Sequence, residues 1–257
     1  MKRLNTSFLI VLALILSVTD AKSISSDTLH FIVDNPTHSK MDSLWTHEQL
    51  SSQQIETDTN VLNKWSYDSD SIPSFQDSIY AERLALLDEH TPFRLDYNKA
   101  VQRQINIYAN TYRRHVSKML GKSNYYFPLF ESVLDQFDLP LEFKYLAIVE
   151  SALKPHARSR SAATGLWQFM YTTGKSYDLK VTSYIDERSD PLQSTIAACE
   201  YFTFLYKMFN DWELVLAAYN GGPGYVSRAM RKHGVSDYWS LRPYLRKETQ
   251  NYVPKFI

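Results

Sequence analysis

The sequence predicts a mainly α-helical domain, and three observations carry that expectation. From about Tyr97 onward apolar residues recur at helical spacing, strand-like alternation is weak throughout, and Asp, Pro and Gly stand where helices start and stop. Counting these patterns gives roughly seven to nine helices.

The 257 residues can hold one large domain or two small ones. Lys2 and Arg3 form a basic segment ahead of the apolar run Phe8–Val18, and Thr19 and Ala21 sit at −3 and −1 of a cleavage site before Lys22. That three-part pattern predicts a signal peptide over 1–21, and therefore export. The run is too short to span a bilayer, so no transmembrane helix is expected after cleavage. No cysteine lies near the cleavage site, so no lipoprotein anchor is expected. Residues 22–75 are polar and acidic, with runs such as Ser66-Tyr-Asp-Ser-Asp-Ser71 and no sustained apolar period. Such a segment has too little apolar surface to offset the entropy of ordering, which predicts a poorly ordered spacer. The helical domain is expected over 76–257.

Within that domain the elements read in order. Ile79–Leu87 predicts a short opening helix. Val101, Ile105, Tyr108 and Tyr112 form one stripe of a helix running toward Leu120 and stopped by Gly121, and Tyr126–Phe137 forms a second amphipathic segment. Pro140 suits a first helical turn, with Glu142 near its electropositive end, and opens a helix through Leu153 that ends before Pro155. Asp190-Pro191 reads as N-cap and first residue of a helix reaching about Phe209. Trp212–Tyr219 is short and apolar, Gly221–Gly224 is a turn, and the next helix ends at His233-Gly234. A last helix begins near Lys247.

Charge and composition exclude more than they select. The net charge is zero, but residues 24–99 hold thirteen acids against five bases, and the first 23 residues carry +2, which leaves 100–257 about +6. A basic domain suits a polyanionic partner without choosing one, and no nucleic-acid motif accompanies the charge. Cys199 is the single cysteine, so no intramolecular disulfide forms, and its apolar helical setting marks it as a core residue. Thr173-Gly-Lys-Ser176 ends like a phosphate-binding loop but has Phe169 where that motif needs glycine. His47-Glu48 begins like a zinc-protease helix but continues to Ser51. No G-x-S-x-G elbow is present. No cofactor and no metal are expected.

Glu150 stands apart because of its position. Phe143, Leu146, Ala147 and Leu153 share its helical face, so its carboxyl points to an apolar surface. Loss of water disfavours the charged form and raises the carboxyl's pKa, which suits delivery of a proton to a leaving oxygen near neutral pH. The competing reading is a structural ion pair with Arg158, Arg160 or Arg188. Gly165-Leu-Trp-Gln-Phe-Met170 and Ala217-Ala-Tyr-Asn220 add amides beside aromatics, the equipment of a sugar-binding groove. Trp167, Phe169 and Tyr219 read equally well as plain core.

Together, Glu150-Ser151, Gly165-Leu-Trp-Gln168, Ala218-Tyr-Asn220 and Glu248-Thr-x-x-Tyr252-Val-Pro-Lys255 resemble the ordered motifs of the lytic murein transglycosylases. The resemblance leans to the membrane-bound D group, and Tyr125-Tyr-Phe-Pro128 and Thr172-Thr-Gly174 are similar to it as well. It runs from about residue 95 to the C-terminus. Tyr171 departs from the pattern, standing where that group commonly has proline. The chain also stops at Ile257, where relatives usually continue into LysM glycan-binding repeats. The resemblance implies a lysozyme-like, goose-type fold and one catalytic glutamate, Glu150. It implies cleavage of the β-1,4 bond between N-acetylmuramic acid and N-acetylglucosamine, with closure of a 1,6-anhydro ring. Ser151 would orient the acid or the acetamido group, Gln168 and Asn220 would bind substrate amides, and Tyr219 and Tyr252 would line the subsites. The expected partner is the peptidoglycan glycan strand, not nucleic acid. The expected setting is the periplasm or cell envelope of a Gram-negative bacterium, and the expected state a monomer. Two alternatives stand beside it. A hydrolytic muramidase would need a second acid among Asp186, Glu187, Asp190 and Glu248. A wall-binding protein with weak or no turnover would retain the cleft alone.

Overall fold

Apolar helical stripes can only be buried against one another, and the structure, a computed structural model describing residue 72 and residues 75–257, packs them that way. The leader over 1–21, the His47-Glu48 pair and all of the spacer except residues 72 and 75 lie outside the described residues. Ten α-helices are present among the described residues, more than the pattern count gave, because the short helices 171–176 and 238–241 carry no apolar period of their own. The described residues contain no regular strand, only three isolated bridges in the loops around residues 158–186.

The first helices are α1 (Asp77–Asp88) and α2 (Lys99–Asn106), the latter capped by the Asn98 side chain, which accepts from the amides of Ala100 and Val101. A π-helical turn, Ile107–Thr111, then inserts before α3 (Arg113–Gln136). The expected stop at Gly121 is not there. α3 passes through Gly121 and even through Pro128, since a mid-helix glycine costs only about 1 kcal/mol. The burial of Met119, Phe130, Val133 and Leu134 on one face of α3 offsets it. The break falls instead at the π turn, whose wider winding shifts the phase of the apolar stripe and turns Tyr108 and Tyr112 outward.

The expected helix over 141–153 divides in two. Leu141–Tyr145 is a 3₁₀ turn and α4 is only Leu146–Ser151. Beyond the short α5 (Tyr171–Ser176), α6 (Pro191–Phe209) starts as the sequence predicts, with the Asp190 carboxylate accepting from the Gln193 amide at 2.7 Å. Next come α7 (Trp212–Gly221), α8 (Pro223–His233), α9 (Tyr238–Leu241) and α10 (Lys247–Phe256). Gly234 takes a left-handed φ of 65° just past α8, as the sequence predicts. Tyr171 occupies the first residue of α5, a position that also suits the proline common in relatives.

α7 is the hub. Its residues Glu213–Ala218 are all buried, and α6, α8 and α10 pack around it. Between α3, α4 and α6 lies an aromatic cluster: Phe143 stacks on Phe202 with centroids 4.2 Å apart, and Trp167 meets Phe130 at 5.1 Å and Phe202 at 5.8 Å. Trp167 is fully buried, and its indole N–H donates to Thr195 Oγ1 at 2.9 Å, so the ring brings no unpaired donor into the core. α10 is fastened by its own proline. Pro254 has no N–H for the carbonyl of Gln250, and that oxygen accepts instead from Tyr238 Oη at 2.9 Å and Arg242 Nε at 2.7 Å.

Candidate active site

α4 ends one residue after Glu150, and what ends it shapes the site. Ala152 and Leu153 both take left-handed φ, 53° and 55°, a conformation that costs an L-residue about 1 to 2 kcal/mol. The neighbourhood holds them there. Ser151 Oγ donates to the Ala147 carbonyl at 3.0 Å and accepts from the Lys154 amide at 3.3 Å. Lys122 Nζ donates to the Leu153 carbonyl at 3.1 Å, and the Leu153 side chain is fully buried. The last helical turn is thus truncated at a cleft of about 490 Å³, and Glu150, Ser151 and Gln168 all line it. Tyr108, Tyr112 and Met119 supply its apolar wall, and Lys154, Arg158 and Lys255 its positive charge. A second hollow of about 300 Å³ shares Tyr108, Ile148, Val149 and Lys255 with the first and adds Tyr145.

Burial of the Glu150 carboxyl pushes its pKa from 4.5 up to about 7. The hydrogen bond from Tyr252 and the charge of Lys255 pull the other way, and the charge of Glu248 adds to the rise. Tyr252 Oη donates to Glu150 Oε1. Desolvation holds the Tyr252 and Tyr219 phenols well above their ordinary value, so both remain donors. The ion-pair reading of Glu150 does not hold: among the described residues no salt bridge includes it. Arg188 is engaged elsewhere, with Nε and Nη2 on the Asp186 carboxylate at 2.9 and 2.7 Å.

The structure brings the expected residues into two groups. Ser151 and Gln168 share the cleft with Glu150, whereas Tyr219, Asn220 and Tyr252 are not among its lining residues. Tyr252 and Tyr219 stand behind the carboxyl. Tyr219 Oη donates to the Trp167 carbonyl at 2.7 Å, tying α7 to the Gly165–Gln168 loop. Asn220 Oδ1 accepts from Thr249 Oγ1 at 2.9 Å, which ties α7 to α10. Gln168 spends its amide N–H groups on the carbonyls of Ala157 (3.2 Å) and Gly165 (2.8 Å), leaving its oxygen as the polar group not so engaged. Ser151 bonds its own backbone neighbours. Trp167 and Phe169 are core residues, fully and almost fully buried, so the sugar-covering reading does not apply to them.

Several residues that matter here are invisible to motif reading. Arg188 is buried and, besides Asp186, donates to the carbonyls of Ala162 and Phe169, both at 3.2 Å, pinning the loop that carries Gln168. The same loop explains Gly165: at φ 91°, a Cβ would lie 1.7 Å from the Arg188 carbonyl oxygen. Glu213 is a second buried carboxyl raised to about 7, chiefly by burial. It accepts from Trp239 Nε1 at 3.0 Å and does not line the Glu150 cleft. Of the second-acid candidates, Asp186 is paired with Arg188, Glu187 accepts from the Lys180 amide and Asp190 caps α6. Glu248 alone is close enough for Glu150 to feel its charge. No group of three or more His, Cys, Asp or Glu able to hold a metal ion occurs among the described residues.

Known proteins carry related stretches. Residues 135–241 match the Transglycosylase SLT domain, a span that holds Glu150, Ser151, Gln168, Tyr219 and Asn220 but not Tyr252 or Lys255. The chain is 37% identical over 165 residues to membrane-bound lytic murein transglycosylase D of Escherichia coli K12, covering 62% of this chain and 33% of that protein. It is 34% identical over 98 residues to a putative tributyltin chloride resistance protein of an Alteromonas species, covering 38% of this chain and 47% of the relative. The chain thus spans a third to a half of the length of these relatives. Among solved structures, the 70 kDa soluble lytic transglycosylase of Escherichia coli aligns with a TM-score of 0.47 at 20% identity, over 72% of this chain and 30% of that one. The stretch bearing Glu150 is thus similar to the transglycosylase SLT domains, and the chain is related over part of its length to a membrane-bound lytic murein transglycosylase.

Proposed function

We propose that the protein is a peptidoglycan lytic transglycosylase with Glu150 as its single catalytic acid and base. The observation that carries this reading is the placement of Glu150: a carboxyl raised to about 7, free of any ion pair among the described residues, at the edge of an aromatic and basic cleft. A carboxyl with that proton affinity is populated in both forms near neutral pH, as a group that gives and then takes a proton must be.

In the proposed cycle Glu150 protonates the glycosidic oxygen between N-acetylmuramic acid and N-acetylglucosamine. The C1–O bond breaks, and the substrate's own 2-acetamido oxygen stabilises C1. The Glu150 carboxylate then removes the proton of the muramoyl 6-hydroxyl as that oxygen bonds to C1 and displaces the acetamido oxygen. This closes the 1,6-anhydro ring and regenerates the acid. No second carboxylate is required, which fits the engagement of Asp186, Glu187 and Asp190 elsewhere. A hydrolytic variant would have to rest on Glu248. Gln168 is assigned to the substrate's amides through its oxygen, and Ser151 to holding the helix end that presents Glu150. Export by a signal peptide over 1–21, a spacer over 22–75, a catalytic domain over 76–257 and action as a monomer in the envelope belong to the same proposal.

The test is digestion of purified peptidoglycan by residues 22–257, with mass spectrometry of the soluble products. Anhydromuramoyl ends, each one water lighter than reducing ends, support the reading. Reducing muramoyl ends convert it to a hydrolase. A folded protein that pellets with the wall and releases nothing leaves only binding.

A further inference from the structure

The Glu150 carboxyl is gripped from one side by a single helix. On α10, Tyr252 and Lys255 stand three residues apart and so share a face. Tyr252 Oη donates to Glu150 Oε1, and Lys255 Nζ donates to the carbonyl of Val149, the residue before it, at 3.1 Å. One element therefore clasps α4 at two adjacent points, one on the side chain and one on the backbone. Lys255 is half-buried and lines both hollows that meet at α4. No carboxylate lies within ion-pair distance of its ammonium among the described residues. A lysine with a partly desolvated ammonium spent on a carbonyl is costly to keep unless its charge has a use.

We propose that Lys255 is a positioning residue for Glu150: its ammonium, tethered to the Val149 carbonyl, fixes the end of α4 against α10 and stands beside the carboxylate left when the proton has been given away. The proposal rests on Glu150 being the acid of the reading above. The other charged and titratable groups around Glu150 do not duplicate this role. On α10, Tyr252 is neutral and Glu248 is negative. From α7, Tyr219 contributes a neutral phenol. Across the cleft, His115 on α3 and Lys154 and Arg158 on the loop after α4 are exposed to solvent, where water and salt screen them. Lys255 is thus the less screened cation, and it is held by a defined bond.

The experiment is a carbon-13 titration of the Glu150 carboxyl in the full chain, its resonance identified by its loss in Glu150→Gln. It compares the wild type with Lys255→Met, which keeps length and loses charge, and Lys255→Arg, which keeps charge. Removing the cation disfavours the carboxylate, so the Met variant titrates about one pH unit higher, while the Arg variant stays near the wild type. The high-pH limb of activity on peptidoglycan moves with it, which a purely structural loosening would not do. A Met variant titrating at the wild-type pH or lower overturns the proposal, as does an Arg variant displaced as far as Met. Should the Met variant fail to give a cooperative melt, Lys255→Gln is read in the same way. Because the titration needs no turnover, it reports on Lys255 even if digestion yields no anhydro product.

Discussion

Tyr252 and Glu150, 102 residues apart in the chain, meet through one hydrogen bond from phenol to carboxylate oxygen. The bond works against the burial that surrounds it. Desolvation raises the acid and the phenol lowers it, and the balance near 7 belongs to neither alone. The chemistry of this carboxyl is therefore set by two helices that the sequence separates widely.

Glu150→Gln is expected to lower turnover on peptidoglycan by at least about a hundredfold, the low end of what a positioned acid contributes. The side chain keeps its shape and loses only the proton that the proposed cycle exchanges. The check is anhydro-product release beside a thermal melt. A folded variant that keeps its turnover removes Glu150 from the mechanism.

Tyr252→Phe should slow turnover about ten- to a hundredfold, since a hydrogen bond to a charged group is worth about 1.5 to 3 kcal/mol. The carboxyl also becomes harder to ionise, so the high-pH limb of the rate profile moves upward. Rate against pH from about 5 to 9 reads both effects. An unmoved limb would leave Tyr252 with packing alone.

In the wild type, the step needing protonated Glu150 should fail as pH rises through about 7, the value burial gives it. In the Tyr-intact protein this limb belongs to one group, because Glu213, raised to a similar value, is hidden under Trp239 and not on the cleft. Loss of the limb in no variant of Glu150 but in Glu213→Gln would reverse the two assignments.

Stability should carry the signature of Glu213. Burial lifts its pKa in the folded state to about 7, above the ordinary carboxyl value of 4.5. The folded state thus binds more protons between those values, and stability present below about 4.5 is lost as pH rises through about 7. Glu213→Gln keeps an oxygen for the Trp239 N–H and removes that loss. It should raise stability at pH 8 by about 1 to 2 kcal/mol after allowance for solvent screening. Melting temperatures at pH 5 and pH 8 measure it, and the slope that remains is the share of Glu150.

Gly165→Ala should be among the most damaging small changes. Its Cβ would meet the Arg188 carbonyl at 1.7 Å in a backbone conformation that alanine avoids. Moving that loop displaces Gln168 and strains the Arg188 bonds, at a cost of more than about 3 kcal/mol. A thermal melt within a degree or two of the wild type would contradict the close approach.

What the sequence discloses here is local chemistry. Asp190-Pro191 announces α6 because a cap and a proline act on their own neighbours, and Gly234 ends α8 for the same reason. Glu150 on an apolar face was legible because periodicity is local too. Gly121 misled because glycine stops a helix only where the chain needs a left-handed turn, and the buried face of α3 carries it through. The π turn at Ile107–Thr111 has no local signal strong enough to place it. Trp167 looks like a sugar platform until Thr195, Phe130 and Phe202 close over it, and Phe169 until the fold buries it. Arg188 and Glu213 do their work through partners that only the fold supplies. The motif residues behind the site, Tyr219, Asn220 and Tyr252, were identified by resemblance, but their tasks of tying α7 to the Gly165–Gln168 loop, α7 to α10 and α10 to Glu150 are a matter of geometry.

The clasp between α4 and α10 also dictates an order of events. Contacts this distant in sequence close late, because the loop between them must be paid for in entropy before the bonds return anything. The aromatic cluster around Phe143, Trp167 and Phe202 draws on the 3₁₀ turn before α4, on α6 and on the loop between them, and α10 reaches it only at its end, where Phe256 lies 6.5 Å from Phe143. The contacts of Trp167 with Phe130 and Phe202 can therefore form while Glu150 still lacks both phenol and ammonium. The environment that raises the Glu150 carboxyl is then completed only when α10 docks.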